Sequence, residues 1–143
     1  MRIAVTGSRS ITDRDWIAYH LDKILDDVSI KHQDTATGEF EPIVLMSGGA
    51  HGVDTCVAEY AAAYSYDFIL FKPYHLIDNH ALYRPRFFFA RNKQMVDNAD
   101  VVIALWDGVS SGTKSTIELA THRHKELIVV RWNPDEAADI SGK

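Results

Sequence analysis

The stretch IVLMSGGAHGVD, residues 43 to 54, ends an apolar run in Ser47, Gly48 and Gly49, adds Gly52, and sets Asp54 in what reads as the first turn of a helix. Glycines there let a ligand approach the backbone closely, and the helix start offers unpaired N–H groups at the positive end of its dipole. A phosphate or carboxylate suits such a loop. It is not a P-loop, having no G-K-[ST], and it lacks the G-x-G-x-x-G spacing of a dinucleotide fingerprint. The same glycines also serve a plain tight turn. Asp54 has two readings of equal standing: a carboxylate complementing the helix dipole by about 0.3–1 kcal/mol, or an acceptor for a ribose hydroxyl beside a bound anion. His51 reads as facing water.

The segment DGVSSGTKST, residues 107 to 116, repeats this chemistry, with Ser110, Ser111, Gly112 and Thr113 supplying hydroxyls and N–H groups at a helix start. One of those hydroxyls is expected to cap the helix. In FFFARNKQMVDNA, residues 87 to 99, Phe88, Asn92, Met95, Val96 and Ala99 share one helical stripe. Asn92 interrupts its apolar character, and a buried amide needs partners. Arg91 adjoins the stripe and either clamps a phosphate or carboxylate through its fork or sits in solvent. Trp106 and Tyr83 either stack on a base or pack.

These segments need elements to position them. Short apolar runs at 3–5, 43–46, 67–72, 100–106 and 126–132 read as strands, and they alternate with helical periodicities. The first helix has Ile17, Leu21, Ile24, Leu25 and Val28 at helical spacing, with Thr12 or Asp13 as its cap. Near-continuously apolar strands alternating with helices imply a Rossmann-like α/β three-layer sandwich with a mostly parallel five-stranded sheet. In such a sheet the loops 7–12, 47–52, 73–84 and 107–112 gather at the carboxyl ends of the strands, where ligands bind. The pattern suggests one domain over 1–133 and a flexible tail over 134–143.

Composition narrows the function. The 143 residues are 46% hydrophobic and 24% charged with a formal net charge of −5, the profile of an ordinary globular domain. No Lys/Arg stripe suits a nucleic-acid backbone, so nucleic acid is an unlikely partner. A local cluster, Arg84, Arg86, Arg91 and Lys93, suits a small phosphorylated ligand instead. No apolar run reaches the roughly 18 residues of a membrane span. One cysteine, Cys56, permits no internal disulfide, and a cytoplasmic setting is the expectation. Neither a metal nor a cofactor is implied.

Together, GSR at 7–9, SGGAHGVD at 47–54 with Ala58, RN at 91–92 with Met95, ADVVIALWDG at 99–108, and SGT at 111–113 with Ala120 resemble the SLOG superfamily. This Rossmann-like group contains the Lonely Guy phosphoribohydrolases and the core of DNA-processing protein A, and the likeness is greatest to its small YspA-like branch. The resemblance implies a nucleotide-derived ligand contacted by Gly7, Ser8, Arg9, Ser47, Gly48, Gly49, Asp54, Arg91, Asn92, Asp107, Gly108, Ser111, Gly112 and Thr113. Gly112 and Thr113 would cradle phosphate, and Arg91 would take the place of an active-site arginine.

One departure matters. Lonely Guy enzymes read P-G-G-x-G-T-x-x-E, and where their glutamate stands this chain has Thr116; Glu118 lies about 200° further round the helix. A sensor or sequestering module for a nucleotide is therefore the first reading. An N-glycosidic-bond hydrolase recruiting Asp54, Asp107 or Glu118 is the alternative, with Asp54, Arg91 and Glu118 as candidate catalytic groups. A single-stranded DNA binder comes third, against the negative charge. Trp16, Tyr19 or Phe87 to Phe89 could supply a patch for a homodimer or higher oligomer.

Overall fold

The computed structural model describes residues 1–72 and 85–142, the side chains of 85 to 87 excepted. The elements run β1 (Arg2–Gly7), α1 (Arg14–Lys31), β2 (Val44–Ser47), α2 (Val53–Ala63), β3 (Asp67–Leu70), α3 (Pro85–Asp97), β4 (Val101–Trp106), α4 (Ser111–His122), β5 (Glu126–Arg131) and α5 (Pro134–Ile140). The strands form one five-stranded sheet in the order β3-β2-β1-β4-β5, parallel throughout. The loop expected at 73–84, with Tyr83 and Arg84, lies outside the described residues, as do the side chains of Arg86 and Phe87. Among the described residues no helix is long and apolar enough to cross a membrane.

Alternation along each strand divides the core between the two faces of the sheet. Ile3 and Val5 of β1 join Leu45, Val101, Ile103 and Leu105 under α1, α2 and Ala137 of α5. Ala4 points the other way and meets Met46 and Val102 beneath Met95 and Val96 of α3 and Ala120 of α4. Helices thus cover both faces, which is why the middles of the central strands, Ile3 to Val5 and Val101 to Leu105, are wholly apolar and buried. Asp13 caps α1 by accepting the Trp16 N–H at 3.0 Å, one of the two residues the sequence offered for that place.

Beyond Arg131 the structure departs from the expected flexible tail. Asn133 caps a further helix, accepting the N–H groups of Asp135 and Glu136 at 3.0 and 3.3 Å, with Pro134 in the first turn. Glu136 then accepts both the Trp16 indole N–H and a bond from His20 Nε2, each at 2.7 Å. Trp16 is fully buried with Trp132 at its edge, 5.0 Å between centroids. It is core, not the exposed oligomer patch the sequence allowed; Tyr19 is exposed.

Hydrogen bonds from His20 and Trp16 hold the Glu136 carboxyl below the usual range. A depressed folded pKa means that this anchor is in place above the unfolded glutamate value of about 4.3 and is lost as pH falls through the folded value. Glu136→Ala strands the Trp16 indole N–H, and the expected loss in urea titrations near neutral pH is about 1–3 kcal/mol. Glu136→Gln, which keeps an acceptor, should recover most of it. Equal midpoints for Glu136→Ala and the parent chain would show that α5 contributes nothing.

Candidate functional site

Strand order reverses between β1 and β4, and the crevice of a parallel sheet opens where the chain leaves such a pair. The loops after those strands are tied across it. The Ser8 N–H donates to the Leu105 carbonyl at 3.0 Å, and the Ser8 hydroxyl accepts the Asp107 N–H at 3.0 Å. Asp107 in turn accepts from the Ser10 hydroxyl at 2.7 Å, the Ser110 hydroxyl at 2.8 Å, and the Val109 and Ser110 N–H groups at 2.9 and 2.8 Å. Desolvation pushes its carboxyl up, but those four bonds outweigh it and hold Asp107 well below the usual carboxylate range. Its lone pairs are committed to the loop.

This knot also decides how α4 begins. Ser110 is the N-cap residue, yet its hydroxyl donates to Asp107, and no side chain caps the helix. The sequence led us to expect a hydroxyl cap; the competing carboxylate next door removes it. The first turn, Ser111, Gly112 and Thr113, instead lines a cavity of about 540 Å³, within the range of small-molecule sites. Uncapped N–H groups and the dipole there favour an anion.

The β1 end contributes Thr6 to Ser10 to the same cavity, the loop after β2 contributes Ala50, the first turn of α2 contributes Asp54, and α3 contributes Phe88, Phe89, Arg91 and Asn92. Gly52 brings the first two loops together. Its φ is +81°, and a Cβ there would lie 2.7 Å from the Arg9 carbonyl oxygen, a contact only glycine permits.

Arg91 and Asn92 are both buried. Arg91 Nε donates to Asn92 Oδ1 at 2.7 Å, and Nη1 donates to the Gly48 carbonyl. The interrupting amide of the stripe thus has its partner. A Cβ at Gly48 would overlap the Arg91 guanidinium, so a side chain there would displace that arm from its present place. Burial lowers the Arg91 pKa, Asp54 raises it, and the like charge of Arg9 lowers it again. Arg9 is exposed, with no ion pair or hydrogen bond among the described residues.

Asp54 is the one carboxylate among the described residues lining the cavity. Its Oδ2 accepts the Ala50 N–H at 3.0 Å, while Oδ1 is buried without a hydrogen-bond partner. Burial pushes its carboxyl up; the Ala50 bond and then Arg91 pull against that rise without cancelling it. Ser47 and Gly48 favour the charged form as well, although neither meets hydrogen-bond geometry on Oδ1 and the Ser47 hydroxyl is itself buried and unpartnered.

Of the expected contact residues, Gly7, Ser8, Arg9, Asp54, Arg91, Asn92, Ser111, Gly112 and Thr113 converge on the cavity. Ser47, Gly48, Gly49, Asp107 and Gly108 are not among the residues that line it. Glu118 is exposed and away from it, and Thr116 is fully buried, its hydroxyl donating to the Gly112 carbonyl at 3.1 Å. Trp106 is also outside: its indole N–H bonds the Ser110 carbonyl at 3.1 Å, and Arg131 lies 5.8 Å over its ring. Sequence reasoning missed Thr6, Ser10 and Ala50, and it offers Phe88 for the apolar stripe and Phe87 to Phe89 for an oligomer patch, whereas Phe88 and Phe89 line the cavity. Phe88 stands three residues before Arg91 and four before Asn92, and Phe89 three before Asn92, which is the available signal. Among the described residues no cluster of three or more His, Cys, Asp or Glu could hold a metal.

The profile of the YspA, cpYpsA-related SLOG family matches residues 1–75. No curated protein matches the chain. Among solved structures, the chain is similar to DNA processing protein A from Helicobacter pylori, described for its single-stranded DNA binding mode. That pair has a TM-score of 0.63 and 22% identity over 99% of this chain and 73% of the other. It is also similar to DNA processing protein A from Streptococcus pneumoniae, TM-score 0.65 and 20% identity, over 99% of this chain and only 54% of that one. At these identities the likeness is one of fold.

A raised folded pKa at Asp54 means that its ionisation costs stability even with Arg91 nearby. The chain should therefore lose stability as pH rises from the unfolded aspartate value, about 3.9, through the folded value. Asp54→Asn keeps the acceptor for Ala50 and removes the charge. Melting temperatures recorded across that pH span should be higher for the variant at neutral pH, with the downward slope abolished; an unchanged slope would place the ionisation elsewhere.

Proposed function

The chain belongs to the YspA, cpYpsA-related SLOG family, and on that premise we propose that it binds a nucleotide or nucleotide-derived ligand as a sensor or sequestering module. The observation that carries this reading is the uncapped start of α4 sharing one cavity with Arg91 and the unpaired Arg9. Each is a locus for negative charge, and together they offset the −5 balance of the whole chain locally. A phosphate on Ser111 to Thr113 leaves the buried Oδ1 of Asp54 for a neighbouring hydroxyl donor, the arrangement a ribose phosphate presents.

A second reading comes from the single-stranded DNA binding named for the Helicobacter pylori neighbour. The same cavity would then hold one nucleotide of a strand. The two readings separate by salt, because contacts along a strand release counterions and give a steep dependence of affinity on ionic strength.

Native mass spectrometry of the chain with AMP, ADP-ribose, NAD, cyclic nucleotides and a short oligodeoxynucleotide tests both. A mononucleotide-sized ligand retained at unchanged mass is the expected result. Arg9→Ala, at an exposed and unpaired position, should weaken that binding about ten-fold, as for one charge-assisted contact, with no change in melting temperature. Release of free base would make the chain a hydrolase, and retention of the oligonucleotide alone would favour the strand reading.

A further inference from the structure

Two neighbouring phenylalanines of α3 line the cavity, and they are used differently. Arg91 Cζ lies 5.7 Å over the Phe88 ring, so one aromatic is engaged by the guanidinium that the site itself provides. Phe89 is 53% exposed although it borders the same cavity. The helix does not require that ring for its seating: Met95 and Val96 of α3, with Ala99 just beyond it, face the sheet and are buried to within 2% of complete. A large aromatic left half in water beside a cation-lined cavity fits a planar partner better than it fits packing.

We propose that Phe89 stacks on the base of the ligand, making it a specificity-determining residue. The cavity is then read from two ends, an anion on the first turn of α4 and a π face on α3, with Asp54 accepting a hydroxyl between them. This rests on the nucleotide reading above. It narrows the ligand class to an anion that carries a planar heterocycle, since a sugar phosphate alone leaves the Phe89 ring uncovered. Stacking tolerates every base, so Phe89 selects nucleotides from sugar phosphates and not one base from another.

Calorimetric titration of the full chain compares the four nucleoside 5′-monophosphates with ribose 5-phosphate. In the parent chain at least one monophosphate should bind about ten-fold more tightly than ribose 5-phosphate. Phe89→Ala should abolish that advantage while leaving the ribose 5-phosphate affinity unchanged, and Phe89→Tyr should retain it. Equal affinities for monophosphates and ribose 5-phosphate in the parent chain, or an equal loss for both in Phe89→Ala, would overturn the proposal while leaving anion binding standing. Failure of every probe to bind the parent chain would overturn the nucleotide reading itself, and the stacking role with it.

Discussion

The pairing of β1 with β4 is the constraint on which the cavity depends. Five registered residue pairs, Ile3 with Val101 through Gly7 with Leu105, bring two strands distant in sequence side by side and stop together at their carboxyl ends. The Ser8 and Asp107 bonds extend that pairing past the last strand residue, so both loops leave the sheet in fixed directions. Asp107 takes four donors from either side of the junction. A carboxylate used in this way is a structural crosslink, and its strongly favoured charged state keeps it one at any ordinary pH.

Around that junction the protein tolerates burials that a core would avoid. Arg91 is 8% exposed and Asp54 5%, yet they form no direct ion pair, because the guanidinium is spent on Asn92 and the Gly48 carbonyl. An apolar or properly paired arrangement would be more stable. Asp54 Oδ1 and the Ser47 hydroxyl are buried there without a hydrogen-bond partner, a polar demand the surrounding fold leaves unmet. α2 and α3, which carry Asp54 and Arg91, are seated on opposite faces of the sheet by the two hydrophobic clusters.

Sequence made much of this legible. Near-continuously apolar runs, separated by helical periodicity, specify a covered parallel sheet, and such a sheet fixes which loops meet. That is why Gly7 to Arg9 and Ser111 to Thr113, a hundred residues apart, were both read as ligand contacts and do share a cavity. What sequence did not reveal were choices among competing partners. Ser110 reads equally as a cap and as a donor to Asp107, and only the loop conformation decides. Asn133-Pro134 is a helix start by its own chemistry, but the helix is worth forming only because Glu136 finds Trp16 and His20 about 120 residues away in sequence. Phe89 sits on a helix whose period marks a core stripe without saying which neighbouring position meets empty space.

The distribution of carboxylates bears on what happens to a ligand once bound. Glycosidic cleavage ordinarily uses two acidic groups, one to protonate the leaving group and one to stabilise or attack the sugar carbon. Asp107 is committed to the loop junction, Glu118 faces solvent, and the helical position that carries a glutamate in Lonely Guy enzymes holds Thr116, buried and bonded to Gly112. Asp54 is the one carboxylate among the described residues lining the cavity, and burial pushes it up from the ordinary aspartate value. One acid without a second can hold a ribose hydroxyl, but it supplies half of the usual cleavage machinery. On the nucleotide reading proposed above, a single carboxylate fits a retained ligand better than a cleaved one.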